Sequence, residues 1–187
     1  MTRQGQRAIV LERMDGSAAA GARDAFRLIY AEAFGEPPYH ETEEDVAAAF
    51  RRFPAQTRRD GFRAALARTE DGDPVGMAYG FPLAPDTGWW DELTEPVPDE
   101  MRREDGRRTF GLMELAVRGP WRGQGVARRL HETLLTGVTA ERVLLNVNPA
   151  AEAAWAAYRA WGYRKVGEAR PWGTATDLHD VMLLDLR

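Results

Sequence analysis

Apolar residues recur along this chain with two periods, and the changes between them mark out its elements. Val75, Met77, Tyr79 and Phe81 alternate with Gly76, Ala78 and Gly80. That period of two predicts a strand with one bulky face and one small face, and the small face can lie under a helix. Phe62 to Arg68 predicts a strand before it, and Asp71-Gly72-Asp73-Pro74 the turn of a hairpin. Further strands are predicted at Ala8 to Leu11, up to Val117 from Phe110, at Val143 to Val147, at Tyr163 to Val166 and at Leu178 to Leu186. Helical spacing appears in Ala22 to Phe34, with Phe26, Ile29, Tyr30 and Ala33 on one stripe. Thr42-Glu43-Glu44-Asp45 has the capping-box pattern and opens a helix striped by Val46, Ala49, Phe50 and Phe53, which Pro54 is expected to end. Val126, Leu130 and Leu134 fall four apart on a third helix. Pro149 to Trp161 reads as a fourth, opened by its proline and closed by Gly162.

Between these lie a small-residue loop, Gly16 to Gly21, and a long irregular connection, Pro82 to Arg108, with four prolines and the pair Trp89-Trp90. A loop of that length in a compact domain is usually functional or mobile. The predicted order is β-α-α-β-β-β-α-β-α-β-β. It implies an α/β fold, a mixed sheet with helices on both faces. Residues 1–187 show no internal repeat and no boundary, so a single domain is expected.

Composition narrows the chemistry. The chain has no cysteine, which excludes disulfides, thiolate catalysis and cysteine-ligated zinc. Its three histidines, His40, His131 and His179, are scattered, so no metal is expected. A net charge of -4 argues against a general nucleic-acid partner. No signal-peptide core or membrane-length apolar run is present, so no membrane association and a cytoplasmic location are expected.

The stretch from Phe110 to Leu135 carries the chemistry. A strand ends in Leu115-Ala116-Val117, Gly119-Pro120 breaks it, and Arg122-Gly123-Gln124-Gly125 leads into the helix of Val126. A helix N-terminus offers free N–H groups and the positive end of a dipole, and glycines let an anion approach the backbone. Arg122 and Arg128 add fork-shaped cations. A phosphate or pyrophosphate site follows. It is not a P-loop, since no Gly-Lys-Ser/Thr follows, and it lacks the third glycine of a dinucleotide fingerprint. The structural alternative is a plain glycine turn before an ordinary helix. Glu114 stands on the central strand, where a carboxylate is costly to bury unless paired or functional. It is either a base or one half of a salt bridge.

Arg122-Gly123-Gln124-Gly125-Val126-Ala127 resembles the Arg/Gln-x-x-Gly-x-Gly/Ala signature of the GNAT (Gcn5-related N-acetyltransferase) superfamily. The element order resembles the GNAT fold too. Ala154-x-x-x-Tyr158-x-x-x-Gly162-Tyr163 is similar to the family's closing pattern, and Trp161 to Gly167 with Arg170-Pro171-Trp172 resembles an actinobacterial subfamily. The resemblance implies acetyl-CoA as co-substrate, held between two splayed parallel strands ending near Val117 and Val147. It implies that Arg122, Gly123, Gln124, Gly125, Val126, Ala127 and Arg128 cradle the pyrophosphate. Leu115, Ala116 and Val117 would bind pantetheine and the acetyl carbonyl through their backbone.

Tyr158 corresponds to the family's general acid, with a core aromatic as the alternative. Some relatives carry a base at the position of Asn146, which cannot act as one; this leaves Glu114 or a water relay. Many relatives carry asparagine at the position of Ala151, and Asn148 is the nearest substitute. Tyr39, His40, Trp89 and Trp90 would lie on loops that wall the acceptor, where aromatic faces suit an apolar or cationic group. The activity implied is acetyl transfer to a primary amine of a small molecule, by direct attack in a ternary complex. A protein amine acceptor, a non-catalytic acyl-CoA-binding module and a nucleotide-binding protein are the alternatives, and a homodimer is left open.

Overall fold

A computed structural model describes residues 8–171 and 177–187. Trp172 of the subfamily element lies outside the described residues. Seven strands follow the hydrogen-bonded order β1-β2-β3-β4-β5-β7-β6. They are β1 (Ile9–Met14), β2 (Arg63–Thr69), β3 (Pro74–Pro82), β4 (Thr109–Val117), β5 (Arg142–Val147), β6 (Arg164–Ala169) and β7 (His179–Asp185). The helices are α1 (Gly16–Gly21), α2 (Arg23–Gly35), α3 (Glu43–Thr57), α4 (Asp99–Arg102), α5 (Val126–Leu135) and α6 (Glu152–Ala160). The sheet is mixed: β4 and β5 are parallel, and β1, β2 and β3 are antiparallel neighbours. This is the expected α/β class.

By its internal contacts the chain forms two compact units, Met1–Gly80 with Glu114–Gly137, and Phe81–Met113 with Val138–Arg187. The first holds β1, β2, most of β3, the end of β4, and helices α1, α2, α3 and α5. Its core is aromatic. Phe26, Phe50, Phe53 and Tyr79 are buried, with Phe53 ring centres 5.4 Å from Phe26 and 5.4 Å from Tyr79. The small face of β3 lies under α5 as its alternation predicts. A Cβ on Gly76 would stand 2.9 Å from Leu130 Cδ1 and 3.0 Å from the Ala116 carbonyl oxygen.

Two expectations fail in this unit. Gly16 to Gly21 is helix α1, not a loop, because Asp15 accepts the Ala18 N–H at 2.8 Å and three alanines follow. Helix α3 runs through Pro54 to Thr57. The proline removes one donor, but Phe53 and Thr57 are buried on either side of it and Thr57 Oγ1 donates to the Pro54 carbonyl at 2.9 Å. Its capping box is as expected: Thr42 and Asp45 exchange side-chain and backbone bonds.

The second unit holds the start of β4, then β5, β7 and β6, with α4 and α6. Leu83, Trp90, Leu144, Ala169, Val181 and Leu183 form its buried cluster. The connection from Pro82 is more ordered than its sequence suggests. It contains α4 and a 3-10 turn at Trp89–Glu92. One atom secures it: Glu104 Oε1 accepts from Trp90 Nε1 (3.0 Å), Thr109 Oγ1 (2.7 Å) and Arg142 Nη2 (2.9 Å). Helix α6 begins at Glu152 and not at Pro149, because Asn148 Oδ1 takes the Ala150 N–H and its carbonyl the Ala151 N–H, making a turn first. Among the described residues no helix is long and apolar enough to cross a membrane, and no three metal-ligating side chains cluster.

Candidate active site

The first unit carries the glycine loop. Strand β4 ends at Val117, and Arg118 N–H donates to the Val75 carbonyl at 2.9 Å. A 3-10 turn, Gly119–Trp121, then delivers the chain to Arg122. Gly123 and Gly125 have φ of 71° and 78°, left-handed backbone that glycine adopts without strain. Gly125 is the N-cap of α5, no side chain caps the helix there, and its first turn has no acidic residue. A Cβ on either glycine would meet nothing within 4 Å. Exposed N–H groups, a positive dipole end and open space fit a phosphate.

The side chains of this loop serve it differently. Arg122 Nε donates to the Val117 carbonyl at 2.8 Å and Nη1 to Glu36 Oε2 at 2.5 Å, so its fork ties the loop to β4 and to the end of α2. Arg118 is bidentate to Glu32, at 2.5 and 3.0 Å, which ties α2 down a second time. Gln124 Nε2 closes the turn on the Pro120 carbonyl at 3.1 Å. Arg128 is exposed and pairs with Glu132 one turn on, at 2.9 Å. Val126 is buried under the loop and Ala127 half-buried.

Strand β4 is irregular where it approaches this loop. Leu83 N–H donates to the Thr109 carbonyl at 2.9 Å, and Arg118 N–H to that of Val75. Between these bonds β4 advances nine residues and β3 eight, so β4 contains one extra residue, a bulge. The parallel ladder to β5 covers only Thr109↔Arg142, Phe110↔Val143 and Gly111↔Leu144. Both strands continue beyond it, to Val117 and to Val147. Leu115, Ala116 and Val117 are therefore past its end.

Glu114 begins that stretch. It is half-buried, and among the described residues no group donates a hydrogen bond to its carboxylate, nor does any arginine pair with it. Loss of water, reinforced by the charge of Glu41 and opposed by that of Arg52, pushes its carboxyl up to about 8. The salt bridge that was its structural alternative is absent among the described residues.

The loop between α2 and α3 supplies its surroundings. Tyr39 is half-buried with its ring edge-on to Phe34, centres 4.9 Å apart. Its phenol is pushed up by burial and by the charge of Glu114. Tyr30 is buried, and the carboxyl of Glu41 is raised by burial. His40 is exposed, with φ of 49°. Glu41, Tyr30 and Arg52 escape a sequence reading because Tyr30 looks like plain helix core and the other two like solvated charges.

The second unit holds the remaining candidates. Tyr158 is buried on α6, its ring edge-on to Tyr163 (5.4 Å) and Trp161 (5.6 Å). Asn148 is half-buried and spends its Oδ1 on the turn before α6, which leaves its amide N–H groups as donors. Trp89 is half-buried, and its buried Nε1 has no hydrogen-bond partner among the described residues. Trp90 is 4% exposed and bonded to Glu104, so it packs the core and offers no face to an acceptor. Asn146, on β5, leaves Oδ1 buried without a hydrogen-bond partner among the described residues.

The Acetyltransferase (GNAT) family pattern matches residues 23–163. No curated protein matches the sequence. Among solved structures, PH1933 from Pyrococcus horikoshii OT3 is similar, with 18% identity and a TM-score of 0.67 over 96% of this chain and 99% of that one. A putative GNAT-family acetyltransferase from Desulfovibrio desulfuricans has 18% identity and a TM-score of 0.63, over 96% and 100%. The ribosomal-protein-S18-alanine N-acetyltransferase from Escherichia coli has 17% identity and a TM-score of 0.59, over 95% and 94%. At such identities the likeness is one of fold.

Proposed function

We propose, from the premise that this chain belongs to the GNAT acetyltransferase family and is an acetyl-CoA-dependent N-acetyltransferase, that it acetylates a primary amine of a small molecule by direct attack in a ternary complex. The observation that carries the reading is Glu114: a carboxylate with no cation salt-bridged to it among the described residues, raised to about 8, on β4 just past the end of the parallel ladder. A base poised near neutrality is what an amine acceptor needs, because an ammonium cannot attack.

The roles divide as follows. Open space and exposed N–H groups at Gly123 and Gly125 hold the pyrophosphate of the co-substrate, while Arg122 and Gln124 hold the loop in shape. Leu115, Ala116 and Val117 offer backbone groups to pantetheine, and an N–H of Ala116 or Val117 steadies the oxyanion. Glu114 takes a proton from the amine as its nitrogen bonds to the acetyl carbon. The carbon–sulfur bond then breaks, and Tyr158 gives its proton to the departing thiolate. Tyr39 and Trp89 present aromatic surface to the acceptor. Asn148 donates an amide N–H toward pantetheine. The whole chain is read as one acetyltransferase domain.

Calorimetry with acetyl-CoA, then thiol release over an amine library, tests this reading. Tyr158→Phe keeps both ring contacts and should lower kcat about a hundredfold or more with unchanged acetyl-CoA affinity. A variant within twofold of wild type removes Tyr158 from the mechanism. Tight acetyl-CoA binding with no turnover of any amine would instead mark a binding module.

A further inference from the structure

The second unit opens a cleft of about 540 Å³ at the start of β5, and no group assigned to acetyl transfer lines it. It lies at the Arg142 end of that strand, whereas β5 runs on past its parallel ladder at the Val147 end. Its size suits a small organic ligand.

Arg142 lines this cleft and is 5% exposed. Its side chain is held on three sides. Nε donates to Thr109 Oγ1 at 2.8 Å, and Nη2 donates to the Met101 carbonyl at 2.6 Å and to Glu104 Oε1 at 2.9 Å. The guanidinium lies over the Trp90 ring, 5.2 Å from its centre. Nη1 has no hydrogen-bond partner among the described residues. A buried, immobilised guanidinium with one nitrogen unbonded offers two N–H groups in a fixed direction, with no rotamer freedom left to lose.

Arg108, Arg164 and Arg187 line the same cleft, as do Glu100, Glu141 and Asp185. These carboxylates are answered by neighbours. Arg108 Nε donates to Glu141 at 3.3 Å, and its Nη2 stands 3.6 Å from Glu100, which Arg103 also bonds at 3.1 Å. Arg164 stands 3.6 Å from Asp185. Arg142 has Glu104 as its own carboxylate. Arg187 donates only to the Thr139 carbonyl, and no carboxylate side chain pairs with it among the described residues. The charge left over is therefore that of Arg187, and the donors left over are those of Arg142 Nη1. Pro98 and Met101 add apolar wall.

We propose that this cleft is a second, non-catalytic binding site for a small organic anion. Its phosphate or carboxylate oxygens accept from Arg142 Nη1 and face Arg187, and its carbon skeleton lies against Met101 and Pro98. Charge-assisted bonds to a guanidinium serve either oxyanion, and the fixed Arg142 supplies direction while Arg187 supplies charge.

Calorimetry on the full chain with phenyl phosphate, benzoate and the uncharged benzyl alcohol tests the site. At least one of the two anions should bind with a Kd below about 1 mM, and the tighter of them identifies the head group. Benzyl alcohol should not bind. Arg187→Gln alters an exposed residue and should weaken the anion about tenfold. Gly125→Val, which disables the glycine loop in the other unit, should bind it as wild type does. In NMR titration the Arg142 Nε–H and Trp90 Nε1–H signals should shift with the same Kd. Absence of saturable binding by both anions overturns the proposal, as does equal binding of benzyl alcohol. An affinity untouched by Arg187→Gln, or lost in Gly125→Val, overturns it too, the latter by assigning the anion to the glycine loop.

Discussion

Replacing Glu114 by glutamine should raise stability and abolish most activity, and the structure sets the scale of both. The carboxyl stands at about 8 in the folded chain against an ordinary value of 4.5. The folded state therefore binds this proton more tightly than the unfolded state does. Stability linked to it is fully present below about pH 4.5 and is lost as pH rises toward 8. The interval of about 3.5 units, at ~1.4 kcal/mol per unit, gives an upper limit of ~5 kcal/mol. Solvent reaches a half-buried group, so ~2–3 kcal/mol is the reasonable expectation. For a chain of this length that corresponds to roughly 4–12 °C in Tm.

The assay is thermal unfolding of wild type and Glu114→Gln from pH 5 to pH 9. The gap in Tm should be small at the acid end, widen with pH and level off above about 8. In parallel, kcat/KM of wild type should rise through an inflection near 8, which the variant should lack along with about a hundredfold or more in rate. A gap independent of pH, or a variant less stable throughout, would refute the view that Glu114 is an unpaired carboxylate held out of water.

Two further outcomes follow from other parts of the fold. Gly125→Val places a β-branched residue at a φ of 78°, a strain of ~1–3 kcal/mol, in space where its Cβ meets nothing within 4 Å. The protein should still fold, and calorimetry should show acetyl-CoA affinity lost; unchanged affinity removes the glycine loop from the site. Glu104→Ala leaves the Arg142 guanidinium buried without its carboxylate, with side-chain exposures of 6% and 1% for the pair, and should cost ~3–5 kcal/mol in urea unfolding. Adding Arg142→Met should recover much of that loss, and a strictly additive double variant would deny the coupling.

Periodicity made the strands and the longer helices legible. The alternation through Val75–Phe81 even foretold which face lies under α5, because a row of Gly76, Ala78 and Gly80 serves little purpose without a close neighbour. The capping box at Thr42 and the glycines at 123 and 125 were readable for a similar reason: each is a local device whose partners lie within a few residues. What escaped depends on distant partners. Pro54 was expected to end α3, yet burial of Phe53 and Thr57 carries the helix on. Asp15 turns a string of small residues into α1 through a single side-chain bond. Trp90 could be read as an aromatic walling the acceptor or as plain loop packing, and its bond to Glu104, fourteen residues on, is what places it in the core. Glu41 gave no signal at all, since nothing in a sequence says that its charge will act on Glu114.

The two-unit organisation has a consequence for how this protein is made. The first unit is written in two passages, Met1–Gly80 and Glu114–Gly137, separated by 33 residues that belong to the second. As the chain leaves the ribosome, β3 emerges with its partner from β4 still untranslated. At roughly 5–20 residues per second the wait is on the order of seconds. Through that time the nascent chain shows an unpaired edge whose interior, Val75–Phe81, is apolar or small throughout and buried in the finished protein. The hazard is one of timing: slow translation between residues 81 and 113 would prolong exposure of that edge, and its capture by a neighbouring nascent chain would compete with the arrival of β4.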